Sequence, residues 1–495
     1  MNLSLLILLP FLTCIAIALS GGLNQIRWIT LAGSALQLVL GFILLLQFLS
    51  ERTAQNTSQF LFQSDFQWYE SLHIHYHIGV DGISIAMILL TAFVVLAGVL
   101  VSWKQEKMSK EYLLLLTLLA LGAYGFFISL DLFTLFFFLE ISVIPKFLLI
   151  GIWGSGKKEY SAMKLALMLM GGSVLVFVGL LGIYFSTGSF DIIQISQAHI
   201  PVEIQCLFFP FAFIGFGVFT ALFPFHTWIP DGHSSAPTAA SMFLAGISMK
   251  LGGYGCLRVA TYLMPEAAHE YSWIIVLLAA IAILYGAFAT MMQTDLKYIN
   301  AYSSVSHCGF VLLGIGMLTQ TALTGAVMQM VSHGLMTALF FACIGMIYER
   351  THTRQVAQLG GIMKVMPFIS SVFVIAGLCS LGLPGLSGFV AEMTVFMGSW
   401  QRAETFYRIA TIAACASIVV TAVYILRAVG SAIMGEIKSA DFLKLPDASW
   451  NEKLAAGILI AGIVAIGVAP FWLYDLIHPG MEAIMSNVER TVILK

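Results

Sequence analysis

Apolar runs long enough to cross a bilayer recur along almost the whole of this 495-residue chain, and little polar sequence separates them. A span needs roughly 20 consecutive apolar residues. With 59% hydrophobic and only 10% charged residues, the chain could not cover itself with polar surface as a soluble domain. Apolar windows divided by polar or Gly/Pro breaks give about fourteen spans. They fall near residues 3–20, 27–50, 81–103, 112–130, 131–152, 161–186, 207–229, 239–262, 272–292, 299–318, 323–348, 368–398, 407–435 and 454–475. The expected fold class is therefore an all-α membrane protein. The run Leu3–Leu19 lacks a basic n-region and a small-residue cleavage site, so it reads as a first span rather than a signal peptide. The longest gap, 51–80, reads as a loop of moderate polarity.

Positive charge orients these spans. One set of alternate loops carries Lys104, Lys107, Lys110, Lys157, Lys158, Lys297, Arg350, Arg354, Lys364, Lys438, Lys444 and Lys453. The side of the termini carries Arg52, Arg402, Arg408, Arg490 and Lys495. The positive-inside rule then places both termini outside the cytoplasm. A net charge of −2 gives no reason to expect nucleic acid. The cysteines stand singly, at 14, 206, 256, 308, 343, 379 and 415, which gives no disulfide, zinc or iron–sulfur framework. There is no dinucleotide fingerprint after a strand and no P-loop. HIHYH, residues 73–77, is the nearest approach to a metal signal, and it reads better as a solvent-side amphipathic segment.

Two spans are interrupted. FPFHTWIP breaks the seventh, with Pro224, Pro230 and Pro237 as helix breakers, and LGLPGLSG, with Pro384, breaks the twelfth. Broken backbone at membrane depth is tolerated only inside protein or beside a water-filled cavity. Interruptions in corresponding positions suggest inverted five-helix repeats. The expected organisation is residues 1–111 as N-terminal helices, 112–262 and 272–435 as the repeats, and 454–495 as a last helix and tail.

Ionisable groups inside spans cost at least about 2.5–3.5 kcal/mol each at the bilayer centre. Glu140, Lys146, Lys164, Lys250, His307, His333 and Glu392 nonetheless lie in apolar context. Lys250 follows about ten apolar or small residues and precedes Gly252 and Gly253, which permit close helix approach. His307 and His333 sit on consecutive spans, each beside a serine, and a histidine can take a proton on one nitrogen and release one from the other. Glu140, Lys250, His307, His333 and Glu392 thus form a row of titratable groups, the candidate proton pathway. Lys146, Lys164 and Lys297 are possible members.

The segments FHTWIPDGHSSAPTAASMFLAGISMKLGGYG, TDLKYINAYSSVSHCGF, QMVSHGLMTALFF, YERTHTRQVAQLGG and LPGLSGFVAE, in this order, resemble the subunit M family of bacterial complex I, the proton-pumping NADH:quinone oxidoreductase. The resemblance runs from about Asp81 to Phe396. It implies a fourteen-helix antiporter-like fold with two inverted five-helix repeats, each with a broken helix. It also implies a multi-pass location in the bacterial cytoplasmic membrane beside two sister antiporter-like subunits. By motif it assigns Glu140, the central lysine Lys250, the connecting histidines His307 and His333, and the terminal Glu392 to a proton axis. Flavin, iron–sulfur clusters and quinone chemistry are expected in other subunits, and no cofactor in this chain. A cation/proton antiporter subunit of the multiple-resistance-and-pH type is the alternative, against which YERTHTR argues.

One departure stands out. The family's helix-seven lysine, seven residues before the histidine of PFHTW, is replaced here by Phe219. Lys146, directly after Pro145, is the expected substitute cation. Its six-residue offset from Glu140 is about 240° around a helix, so the Pro145 kink or the length of the side chain has to correct the angle.

Overall fold

A computed structural model describes residues 1–54, 56 and 58–493, with side chains to Arg490. Lys495, counted in the charge asymmetry, lies outside the described residues. Helices α1 (Leu5–Leu19) and α2 (Leu23–Thr53) lead into an antiparallel hairpin of β1 (Leu61–Tyr69) and β2 (Ile74–Val80). The gap at 51–80 is therefore ordered, and the period-two alternation in IHYHIGV is what a strand requires. Then come α3 (Gly82–Val101), α4 (Ser109–Ile128), α5 (Leu132–Trp153), α6 (Lys158–Thr187), the short α7 (Ile192–Gln197) and α8 (Val202–Thr220).

After a break, α9 (Trp228–Ser235) and α10 (Thr238–Phe243) pass through a π-helical turn, Leu244–Ser248, into α11 (Met249–Gly255) and a second π-helical turn, Cys256–Thr261. There follow α12 (Pro265–Glu270), α13 (Ser272–Met291), α14 (Leu296–Met317), α15 (Gln320–Thr351), α16 (Pro367–Ser380), α17 (Ser387–Trp400), α18 (Thr405–Ala428), α19 (Trp450–Val468) and α20 (Phe471–Ile493). Among the described residues, 10 helical stretches are long and apolar enough to cross a membrane. Helices α1 and α16 are shorter apolar helices.

Several helices start where an aspartate can accept from the free first-turn N–H groups. Asp81 takes Ser84 N, Asp131 takes Phe133 N and Thr134 N, Asp191 takes Gln194 N, and Asp295 takes Lys297 N. The apolar window of α15 is wholly buried, and α3, α14, α16, α17, α19 and α20 pack on this helix. Rows of exposed leucine, valine, isoleucine and phenylalanine on α2, α6 and α18 belong in hydrocarbon, since a soluble surface does not present them in such density.

Two expectations need correction. Pro230 does not break a helix: it lies in the first turn of α9, where the missing N–H has no intrahelical partner to lose. The real interruption of the seventh span is Ala221–Thr227, containing Pro224, while Pro237 caps α10. The C-terminal tail is the helix α20, whose Leu473, Leu476, Ile477, Met481, Ile484, Met485 and Val488 are buried. Its polar residues alternate with these at helical spacing, which keeps the averaged hydropathy low.

The hairpin is fastened to the helices by one charged pair, His77 Nδ1 with Asp191, while His75 Nδ1, 2.8 Å from Asp65 Oδ1, ties its two strands together. His75 N donates to Asp131 Oδ2 at 3.2 Å, and Leu130 N donates to the His77 carbonyl at 2.8 Å. Burial alone would push the His77 imidazole down. The hydrogen bond to Asp191 and the charges of Asp191, Asp65 and Asp131 outweigh burial and hold it above histidine's ordinary value. A raised folded-state value means the contribution is complete below about pH 6.5 and is lost as pH rises through the higher folded value. Hydrogen exchange of the amides of residues 74–80, corrected for intrinsic rates, should therefore speed up as pH rises through that folded value. In His77→Gln it should be fast at every pH. A pH-independent hairpin in the native chain would refute the latch.

Candidate functional site

The chain must carry an ionisable group through an apolar helix at Lys250, and the local backbone is built for it. Lys250 lies on α11, between the two π-helical turns, a helix irregularity that recurs at functional sites. Its Nζ donates to the Ala245 carbonyl, within the first π-helical turn, at 2.6 Å. The same Nζ lies 2.7 Å from His333 Nδ1 on α15. When Lys250 is charged, its ammonium can only donate and Nδ1 accepts; when it is neutral, the amine can accept from a protonated Nδ1, so this contact can hold a proton on either side.

The row continues through α14. The rings of His333 and His307 lie 5.4 Å apart between centroids. His307 Nδ1 is 3.3 Å from Glu392 Oε1 on α17 and 3.3 Å from Gln329 Nε2. That nitrogen has a choice set by protonation. Neutral, it accepts from the Gln329 amide; protonated, it donates to the carboxylate. His307 Nε2 lies 3.0 Å from Ser380 Oγ at the end of α16. Lys250, His333, His307 and Glu392 are all 5% exposed or less.

The second helix break seats Glu392. Gly382 has φ +75°, and a Cβ there would stand 2.9 Å from Glu392 Oε2. Only glycine satisfies both the turn and the carboxylate. A Cβ on Gly388 would come 2.0 Å from the Cys379 carbonyl, so this glycine lets the start of α17 meet the end of α16. At the first break, Trp228 Nε1 donates to the Val218 carbonyl at 2.9 Å, re-satisfying backbone that the interruption frees.

Glu140 stands apart from this row. It is half-buried on α5, with the exposed Phe137 and Ile144 about one turn to either side, and no partner within the described residues reaches Oε1. Lys146 contacts Ser142 and Phe219. Its side chain is buried, with Nζ 3.1 Å from Ser142 Oγ and 5.7 Å from the centre of the Phe219 ring. No ion pair joins Lys146 to Glu140 among the described residues.

Lys164 forms an ion pair with Asp231 at 2.6 Å, and Lys297, 4% exposed, donates to the Ala236 carbonyl at 2.6 Å. Both lie near a polar cavity of about 600 Å³ whose lining includes Ser155, Lys157, Asp231, Ser235, Tyr298 and Arg354. One helical step from that lining is His233. It is wholly buried between Trp228 and Phe341, and neither ring nitrogen has a partner among the described residues. The amide of Asn300 on α14, equally buried, is in the same position. Buried polar atoms of this kind call for water.

Sequence reasoning missed Asp231, His233 and Asn300, and also the fully buried pair of Asp81 and Arg258. Asp81, Arg258 and Asn300 were passed over because they sit near span ends, and Asp231 and His233 because polar side chains beside a helix break look like loop.

These features have counterparts in known proteins. Residues 129–421 match the family model described as the NADH:quinone oxidoreductase/Mrp antiporter transmembrane family. NADH-quinone oxidoreductase subunit M of Rickettsia bellii is 34% identical over 459 residues, 92% of each chain. The chain belongs to the NADH-quinone oxidoreductase subunit M family. Among solved structures, respiratory complex I from Thermus thermophilus with bound NADH matches with a TM-score of 0.88 and 25% identity, covering 98% of this chain and 99% of that one. The Mrp complex of Dietzia sp. has the same fold, with a TM-score of 0.85 at 18% identity and 98% of both chains covered. A multi-pass membrane protein of a respiratory complex subunit family with an antiporter-like fold accounts for the apolar helices, and the buried row is set within it.

The Asp81–Arg258 pair gives a stability test. Asp81→Asn leaves a guanidinium buried without its counter-charge, which costs about 3–5 kcal/mol. Heat inactivation should be faster in Asp81→Asn than in Asp81→Asn combined with Arg258→Met, measured on the same detergent-solubilised preparation. Equal half-lives for the two would show that the unpaired guanidinium carries no penalty.

Proposed function

We propose that this chain is a proton-translocating membrane-arm subunit of an NADH-type:quinone oxidoreductase. The single observation that carries the reading is the contact chain Lys250–His333–His307–Glu392, buried in an otherwise apolar bundle. Two unit charges 4 Å apart interact by about 4 kcal/mol at an effective dielectric of about 20. That equals about three pK units, enough for a proton arriving at one group to expel one from its neighbour. Lys250 is the central relay. The histidines connect it to Glu392, whose proton leaves toward the exit or the next subunit.

Protons reach Lys250 from the polar cavity beside Asp231, along the water-seeking atoms of His233 and Asn300. Lys164 and Lys297 keep that inlet positive. Glu140 and Lys146 form the input-side switch, with Lys146 standing against Phe219 as the cation. The buried ammonium over the Phe219 ring supports this assignment. The half-exposed position of Glu140 suits contact with an adjoining subunit. The helices are arranged as two inverted five-helix repeats within a fourteen-span fold, α4–α11 and α13–α18, each containing one break. The chain lies in the bacterial cytoplasmic membrane with both termini outside the cytoplasm, beside sister antiporter-like subunits. Flavin, iron–sulfur and quinone chemistry take place in other subunits.

Inverted membrane vesicles test this reading, with donor-driven quinone reduction and proton uptake followed together. Lys250→Ala should abolish the uptake that runs through this chain and lower reduction with it. Lys146→Met should reduce uptake by a smaller factor. Cation-dependent proton movement without any linked quinone reduction would favour an antiporter subunit of the multiple-resistance-and-pH type. Unchanged uptake in Lys250→Ala would reject the proton path.

A further inference from the structure

We propose that the groove between α2, α3, α19 and α20 is a binding site for a zwitterionic phospholipid. Its inner part is an apolar cavity of 360 Å³ lined by residues that include Phe42, Leu45, Leu90, Leu335, Gly462 and Trp472. That volume falls within the range of small-molecule pockets, about 300–1,000 Å³. Among the described residues no side-chain donor lines the space except Trp472 at its roof, so nothing polar would be held there. Left unfilled, the walls would forfeit their dispersion contacts.

The depth suits an acyl chain. Counted from the start of α15 at about 1.5 Å per residue, Val331 and Leu335 lie roughly 16–22 Å down. That is about half of a bilayer of roughly 40–45 Å with its headgroups. The first turn of α20, with Trp472 and Leu473, closes the top.

The mouth suits a headgroup. A second cavity of 540 Å³ shares Leu45 and Trp472 with the first, and both Arg52 and Asp475 line it. Among the described residues neither makes an ion pair, although they face the same space. The carbonyls of Asn56, Ser58 and Gln59 accept from the Arg52 Nη atoms at 2.9, 2.7 and 3.1 Å, which fixes the guanidinium without neutralising it. Its Nε has no partner among the described residues. One phosphate and one ammonium, carried on the same molecule, answer both charges. An anionic lipid would answer Arg52 and be repelled by Asp475. The occupied site also braces α15 from behind His333, since Val331 and Leu335 of the lining flank that residue.

The test uses the full chain in the assembly in which it is extracted from membranes. It is reconstituted into vesicles that contain phosphatidylethanolamine bearing a photoreactive group at the end of one acyl chain. After illumination, labelled peptides should cover residues 86–93 and 461–466. Ala465→Phe, which fills the cavity, should lower that labelling about tenfold, the equivalent of about 1.4 kcal/mol. Ala461→Leu gives a milder filling in case the larger ring disturbs assembly. Asp475→Asn should weaken labelling by the phosphatidylethanolamine probe but not by the matching phosphatidylglycerol probe. Absence of label from these peptides would mean that protein fills the groove. Labelling indifferent to both filling variants, or equal for the two lipids and unchanged in Asp475→Asn, would equally overturn the proposal.

Discussion

Charge burial in a medium that cannot solvate it is the constraint on which the rest of this molecule depends. An ammonium, two imidazoles and a carboxylate lie in the middle of an apolar bundle, and each must find its partner within the protein. Lys250 is served by a backbone carbonyl in a π-helical turn and by His333. Glu392 is served by His307 and by the space that Gly382 leaves. Packing follows from these needs. The apolar stretch of helix α15 is fully buried because it carries His333 to the lysine on one side, and its neighbours α14 and α17 carry His307 and Glu392 to the other.

The broken helices belong to the same logic. A continuous helix keeps its amides and carbonyls occupied, whereas a break exposes them and makes room for side chains and water. The first break places Asp231 and His233 between a polar cavity and the lysine helix, and the second opens the turn that seats the terminal glutamate. On the face with the hairpin, ion pairs take over: Asp81 with Arg258, and His77 with Asp191. They tie α3, the second π-helical turn, the hairpin and the α6–α7 link into one surface that holds the helix ends in register.

Much of this was legible in the sequence because apolar surroundings make charges conspicuous. Lys250, His307, His333 and Glu392 could be picked out one by one, and the structure brings them into one row. Glu140 was equally conspicuous, but it is half-buried on α5 and, among the described residues, no contact joins it to that row. The pairing of Lys164 with Asp231 joins residues far apart in the chain, and no local pattern encodes it. Pro230 looked like a breaker because proline in an apolar run usually is one; its place in a first turn depends on where α9 begins. The amphipathic α20 and the hairpin escaped because averaged hydropathy reports mean polarity and is blind to which face is polar.

The account stands on proton transfer through Glu392 being coupled to Lys250. Infrared difference spectroscopy in the protonated-carboxyl region, on reconstituted vesicles during donor-driven turnover, reads this directly. A band that is absent in Glu392→Gln identifies the residue. The account predicts that this band rises and decays with turnover, and that Lys250→Met abolishes its change while the protein remains assembled. A Glu392 carboxyl that stays silent during turnover, or that responds just as fully without Lys250, would contradict it.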